Sequence, residues 1–105
     1  MPEFASPFSG LANDRMLTHE ELIRVVRYMV AAEFEAIQLY MQAAESTDNR
    51  LAIEVLKDIA DEEREHVGEF LTLLHELAPD EKEFYATGEE EVKEMLEELA
   101  EGEKQ

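Results

Sequence analysis

Hydrophobic residues recur every three or four positions along two long stretches of the chain, which is the spacing of one face of an α-helix. In the first stretch this face carries His19, Ile23, Val26, Val30, Glu33, Ile37, Tyr40 and Ala44. In the second stretch it carries Ala52, Leu56, Ile59, Glu63, His66, Phe70, Leu73 and Leu77. We call these two series the seam, because two such faces are expected to pack against one another.

Local signals mark the ends of the first predicted helix. Thr18 is followed three positions later by Glu21, which is the pattern of a capping box that satisfies early backbone N–H groups. No strong breaker follows until the polar segment STDN at 46–49, which favours a turn and supplies a cap for the next helix. A first helix over residues 19–46 is therefore predicted.

A second helix is predicted over residues 49–77, because Pro79 lacks a donor N–H and restricts the residue before it. Each helix would be about 40 Å long, so an antiparallel hairpin is expected. After Thr87 and Gly88 a short, acidic and amphipathic C-terminal helix is predicted. Its apolar stripe consists of Val92, Met95, Leu96 and Leu99. The fold class is thus all-α.

The composition limits the size and setting of this fold. A chain of 105 residues with 45% hydrophobic content fits one small domain. Residues 1–17 contain Pro2, Pro7 and Gly10 and are expected to form a flexible arm, which leaves 18–105 as the domain. The sequence has neither a basic start followed by an apolar run nor a membrane-length apolar segment, so a cytoplasmic location is expected.

The charge of the chain favours cations as partners. Its 27 acidic and 9 basic residues give a formal net charge of −18, which repels nucleic acids and anionic membrane surfaces. The chain contains no cysteine, which excludes disulfides and thiolate metal sites. Any metal chemistry must therefore use oxygen and nitrogen ligands.

Three ionisable residues interrupt the seam. In a hairpin folded about Asp48, Glu33 and Glu63 lie at the same height, since each is fifteen residues from the turn. Two close, buried carboxylates cost on the order of several kcal/mol per ion unless protons or a cation compensate them. A metal ion would compensate both, and His66, one turn after Glu63, would add a nitrogen ligand. A satisfied carboxylate and histidine pair in the core is the alternative.

This set of ligands is half of a known arrangement. A Glu on one helix and Glu-x-x-His on the next form half of the dinuclear carboxylate site found in four-helix bundles. We therefore predict a two-fold homodimer whose four long helices enclose two metal ions, held by Glu33, Glu63 and His66 of each chain. Oxygen-rich ligation with one imidazole per metal suits iron or manganese, and zinc can also occupy such a site.

Other polar residues near the seam have two interpretations. Tyr40, one heptad after Glu33, could hydrogen-bond a ligand carboxylate or donate an electron, or it could be an ordinary core tyrosine. Glu62 could orient a ligand or attract incoming cations, although a solvated glutamate is the simpler interpretation. Glu69 is expected beside or away from the seam. The remaining histidines, which lack a matching carboxylate, are expected to be incidental: His19 and His75.

The sequence resembles a known family. With Glu33 followed by FEAIQLY, and DEEREHVGEF thirty residues later, residues 18–100 resemble the ferritin-like superfamily and most closely the encapsulated ferritins. The resemblance implies two-helix chains that dimerise into a ferritin-like four-helix bundle and associate into a ring-shaped decamer. It also implies oxidation of Fe(II) at a di-iron site between subunits, inside encapsulin shells that store the iron.

Carried over to this sequence, the resemblance makes Glu33, Glu63 and His66 the iron ligands and places Tyr40 beside them. It makes Glu35 a candidate for the acidic path by which iron enters. Family members often have an acidic residue immediately before the first ligand, where this chain has alanine.

The function expected from these features is that of a ferroxidase, which oxidises two Fe(II) per dimer with oxygen or peroxide and feeds iron storage. A rubrerythrin-like peroxidase is the nearest alternative enzyme, although the usual Cys-ligated iron domain has no counterpart in a sequence without cysteine. The alternative from another class is a non-catalytic helical oligomerisation or cargo module with a structural metal or none.

Overall fold

The computed structural model describes residues 15–104, and this part of the chain consists of three α-helices and no strand. Helix α1 spans His19–Glu45, α2 spans Arg50–Leu77 and α3 spans Pro79–Lys104. The all-α prediction is confirmed, as is the hairpin of the first two helices. The predicted flexible arm lies largely outside the described residues. None of the three helices has a stretch both long and apolar enough to cross a membrane.

The predicted caps set the start of α1 and of α2. At α1 the Thr18 hydroxyl accepts a hydrogen bond from the Glu21 N–H at 3.2 Å, and the Thr18 N–H donates to the Glu21 carboxylate at 2.9 Å. Arg15 donates to both oxygens of that carboxylate at 2.8 Å and, with Thr18, lowers the pKa of Glu21 to about 2. At α2 the Asn49 side chain accepts a hydrogen bond from the Ala52 N–H at 3.0 Å.

α1 and α2 pack antiparallel. At the end of the hairpin opposite the 46–49 turn, the start of α1 packs against the end of α2. The small apolar core there is formed by Ile23, Val26, Leu74 and Ala78. The His19 Nε2–H donates to the Leu77 carbonyl oxygen at 2.8 Å, which satisfies one of the free carbonyl groups at the end of α2. The start of α1 is thereby fixed to the end of α2.

The face of α2 that packs on α1 differs from the predicted seam by one position. The buried side chains of α2 are Ala60, Val67 and Leu74, at intervals of seven residues. The seam residue Leu73 is 44% exposed instead. Two neighbouring stripes of α2 are apolar enough to be buried, and one partner helix covers only one of them. The seam of α2 therefore flanks the contact with α1 and remains partly uncovered within a single chain.

The C-terminal helix is much longer than predicted. It begins at Pro79 and continues through Thr87 and Gly88 to Lys104, giving 26 residues. A proline is favoured in the first turn of a helix, because its missing N–H would have no intrahelical acceptor there. Pro79 therefore ends α2 and also starts α3, with Ala78 between them in a non-helical conformation (φ −134°, ψ 79°).

α3 is connected to the hairpin mainly near its first two turns. Glu81 forms an ion pair with Arg27 of α1 and accepts a hydrogen bond from the Tyr85 hydroxyl at 2.7 Å. Further along, the helix is amphipathic as predicted, but its apolar side chains are more than half exposed. These are Phe84, Val92, Met95, Leu96 and Leu99.

Candidate metal centre

The structure brings together the three ionisable residues of the seam, Glu33 from α1 with Glu63 and His66 from α2. The Nδ1 atom of His66 lies 3.6 Å from Oε2 of Glu33 and 3.7 Å from Oε2 of Glu63. One ligand atom of each residue lies within 4.8 Å of the other two. We call this group the carboxylate–histidine trio.

The local sequence explains why these side chains meet. Glu63 and His66 are one helical turn apart, so they project from the same side of α2. The connection over residues 46–49 is short, so positions equally far from the turn face one another across the hairpin. Glu33 is such a position relative to Glu63, which places its carboxylate beside them.

The trio is only partly shielded from water. The side chains of Glu33 and Glu63 are 20% and 17% exposed, whereas that of His66 is 47% exposed. The Oε2 atom of Glu33 is itself buried and has no hydrogen-bond partner among the described residues. A buried carboxylate oxygen without a partner is costly, because it has lost water without gaining a donor.

The geometry of the trio fits a bound cation. Two ligand atoms about 2.1 Å from one metal ion are themselves about 3 to 4 Å apart. The two distances from His66 Nδ1 to the carboxylates are in this range and exceed that of a direct hydrogen bond, and the two carboxylates have ligand atoms within 4.8 Å of one another. Two carboxylates and an imidazole are ligands that suit Fe(II), Mn(II) or Zn(II). The trio therefore has the donor set and the spacing of one half of a carboxylate metal site.

A cleft of about 390 Å³ adjoins the trio. It is lined by Glu33, His66, Glu69, Phe70 and Leu73. Glu69, predicted beside or away from the seam, is exposed and lines this cleft together with two members of the trio. The available signal was its spacing, since Glu69 is one turn after His66 on the same helix.

The other candidate residues are not part of the carboxylate–histidine trio. Tyr40 is half-buried and makes no hydrogen bond with another residue of the described part, and it lies about 10 Å along α1 from Glu33. Glu62 is exposed and Glu35 is half-buried. Their participation in a metal site stays a prediction.

The two histidines outside the trio each make a contact between helices. His19 caps α2, as described above, so it is not incidental to the fold. His75 packs edge-on against the ring of Tyr85, with ring centroids 5.3 Å apart and an interplanar angle of 72°. This arrangement is a favourable aromatic contact at the junction of α2 and α3.

The fold and the trio together define a class of protein. A helical hairpin with Glu on one helix and Glu-x-x-His on the other is half of a ferritin-like bundle. The structure is similar to the crystal structure of the encapsulated ferritin domain from Pyrococcus furiosus, with a TM-score of 0.79 and 37% identity. That match covers 87% of this chain and 93% of the other. The chain therefore belongs to the encapsulated ferritin family.

Two curated proteins are also similar in sequence. One is a ferritin-like–encapsulin shell fusion protein from Pyrococcus furiosus, 42% identical over 78% of this chain. The other is the encapsulin nanocompartment cargo protein EncC from Myxococcus xanthus, 40% identical over 76% of this chain. The matched region spans 24% of the first protein and 60% of the second. No protein-family model matches the sequence.

Proposed function

We propose that the protein is a ferroxidase that acts as a homodimer and supplies Fe(III) for storage in an encapsulin nanocompartment. The observation that carries this proposal is the carboxylate–histidine trio, in which a buried oxygen of Glu33 lacks a partner among the described residues. Iron is the substrate. Two Fe(II) ions each give up one electron, and O₂ takes up both electrons and two protons and leaves as hydrogen peroxide.

A second copy would complete the site. One chain supplies two carboxylates and one imidazole, which is half of the set of ligands in a dinuclear carboxylate bundle. The seam residue Leu73, which lines the cleft beside the trio, is 44% exposed, so apolar surface next to the trio is uncovered within one chain. A two-fold axis beside the trio would cover this surface and place two trios together. A ring of such dimers, as the family resemblance implies, would be a further level of assembly.

The residues of the trio would hold the iron and favour its oxidation. Glu33 and Glu63 each contribute a negative charge, which stabilises Fe(III) more than Fe(II) and so lowers the reduction potential of the bound iron. His66 contributes a neutral nitrogen ligand, and its position one turn from Glu63 orients both towards the same ion. Phe70 and Leu73 form the apolar part of the neighbouring cleft. Tyr40, Glu35 and Glu62 are retained as candidates for assisting roles.

The proposed link with a shell comes from the relatives. One of them is named as a fusion to an encapsulin shell protein and the other as an encapsulin cargo protein. By analogy, this chain would act inside such a shell, where the released Fe(III) would accumulate.

The test is anaerobic loading with Fe(II), followed by metal counting and admission of air. We expect one Fe(II) per chain, hence two per dimer, and a rise in near-ultraviolet absorbance as Fe(III) forms. Glu33→Ala and Glu63→Ala should lose both binding and rapid oxidation, whereas the matched control Glu54→Ala, an exposed position of α2, should behave as the parent. Equal rates in all four proteins would reject the assignment. Bound metal without turnover would favour the non-catalytic module.

A further inference from the structure

α2 contains a glycine in its interior, two residues after His66 of the trio. Gly68 is exposed, and a methyl group placed on it would meet no other side chain or helix of the described part of the chain within 4 Å. Glycine destabilises the interior of a helix relative to alanine, because its backbone loses more freedom on folding. Packing within one chain therefore gives no reason for a glycine at this position.

A side-chain hydrogen bond weakens the helix at the same point. The Thr72 hydroxyl donates to the Gly68 carbonyl oxygen at 2.8 Å. In a regular helix the backbone N–H of Thr72 donates to this same oxygen, so the hydroxyl competes with it. Threonines that bond in this way often bend a helix, and kinks occur where a side chain enters the backbone hydrogen-bond ladder. Gly68 and Thr72 combine both weakening features within one turn.

This turn separates two parts of α2 that have different contacts. Glu63 and His66 of the trio precede it, whereas Leu74 follows it and belongs to the apolar core that joins the end of α2 to the start of α1. We infer that the turn over residues 68–72 is a hinge, which lets the part of α2 that carries Glu63 and His66 move relative to this core. The inference deepens the proposed function and rests on the trio being the metal site.

The hinge lies on the side of α2 away from the proposed dimer contact. Successive residues of an α-helix are about 100° apart, so Gly68 lies about 200° around α2 from His66. His66 and Leu73 belong to the seam, which a second copy would cover, and Gly68 is on nearly the opposite side of the helix. A partner bound over the trio would therefore not cover Gly68.

A hinge at this place would serve the release of the oxidised ion. Two carboxylates hold Fe(III) more tightly than Fe(II), because the attraction grows with the charge of the ion. The ligands come from two helices and must separate before the ion can leave, which a stiff α2 would oppose. Product release limits the turnover of many enzymes, and hinge residues control such steps. Stiffening the turn should therefore slow release and leave binding intact.

The first experiment stiffens the hinge and measures metal release without oxidation. Gly68→Ala is compared with the parent and with the matched control Gly88→Ala, at an interior position of α3 where an added methyl group also meets nothing within 4 Å. Each protein is loaded with Co²⁺ and mixed with excess chelator, and the loss of visible absorbance gives the release rate. We expect Gly68→Ala to slow release by about 3-fold or more, and Gly88→Ala by less than about 1.5-fold. Both variants should bind as many Co²⁺ ions as the parent.

Amide hydrogen exchange measures the hinge without any metal. In the parent, the amides of residues 68–72 should exchange about 10-fold or more faster than those of residues 61–65, after correction for intrinsic rates. Gly68→Ala should slow the exchange of residues 68–72. Thr72→Val, which removes the hydroxyl and keeps the shape of the side chain, should slow it as well, whereas Thr72→Ser should keep the parental rate.

Ferrous oxidation in air gives a third readout. Gly68→Ala should lower kcat by about 3-fold and leave kcat/KM unchanged, because release follows oxidation. A parent that releases Co²⁺ as expected but does not oxidise Fe(II) rejects the ferroxidase proposal alone.

Four results would overturn the hinge. These are equal Co²⁺ release rates in Gly68→Ala and Gly88→Ala, exchange of residues 68–72 as slow as that of residues 61–65, and a parent that binds no Co²⁺. The fourth is a smaller assembly of Gly68→Ala in light scattering, which would assign the glycine to a contact between copies.

Discussion

At the scale of single residues, the carboxylates that would bind the metal are expected to destabilise the metal-free protein. The Oε2 atom of Glu33 is buried without a hydrogen-bond partner among the described residues, and the Glu63 carboxylate is close by. In the absence of a cation, the two negative charges repel each other and are poorly hydrated. Such a pair is expected to be retained because a bound metal compensates it, and it should cost stability when no metal is present.

The repulsion between the two carboxylates predicts how Glu33→Gln changes the stability of the protein with and without metal. The substitution keeps the shape of the side chain and removes one of the two charges, so the metal-free protein should gain about 1 kcal/mol in free energy of unfolding. The stabilisation by added Mn(II), about 2.7 kcal/mol at a hundred times Kd for the parent, should disappear. Urea unfolding with a chelator and then with Mn(II) measures both effects. A variant less stable than the parent in chelator would contradict the argument.

At the scale of helices, the sequence predicts most boundaries and misses two features for physical reasons. Capping residues and a short turn are local signals, so the ends of the hairpin and the equal height of Glu33 and Glu63 follow from the sequence. Pro79 has two interpretations, because a proline that ends one helix can also begin another. The stripe of α2 that faces α1 is a non-local choice between two adjacent apolar faces.

The attachment of α3 depends on a charged group that titrates in acid. Glu81 accepts a hydrogen bond from Tyr85 and pairs with Arg27, and both partners stabilise its ionised form. The pKa of Glu81 is therefore lowered below its usual value of 4.5. A lowered pKa means that this contribution to stability is fully present above the unfolded-state pKa. It is lost as the pH falls through the pKa of the folded state.

We therefore expect Glu81→Gln to be less stable than the parent near neutral pH, and the difference to shrink as the solution is made acidic. The difference in free energy of unfolding should be about 0.5 kcal/mol, because Arg27 is half exposed and solvent screens the pair. Urea unfolding at about pH 7 and about pH 3 measures the difference. The matched control is Glu83→Gln, an exposed position of the same helix. A difference that persists unchanged at the lower pH would argue against the ion pair.

At the scale of the whole molecule, one chain leaves much of its apolar surface uncovered. The seam side of the hairpin exposes Leu73, and α3 exposes a separate stripe that includes Leu99. Contiguous apolar surface of this kind commonly marks protein contacts. The net charge of −18 opposes self-association, so apolar burial and cation binding would both have to offset the repulsion between copies. The two surfaces can be separated by introducing a charge into each one.

Leu73→Glu is predicted to prevent the dimer and the metal site together. Leu73 lines the cleft beside the trio, so a carboxylate there would have to be buried against the partner copy, which is costly. Light scattering should report a monomer, and Fe(II) binding should weaken by at least about tenfold, which corresponds to ~1.4 kcal/mol. Leu99→Glu, which adds the same charge to the stripe of α3, should retain two iron ions per dimer even if a larger assembly is lost. If monomeric Leu73→Glu bound Fe(II) as tightly as the parent, one chain would hold the metal alone, and a site shared between subunits would be the wrong description.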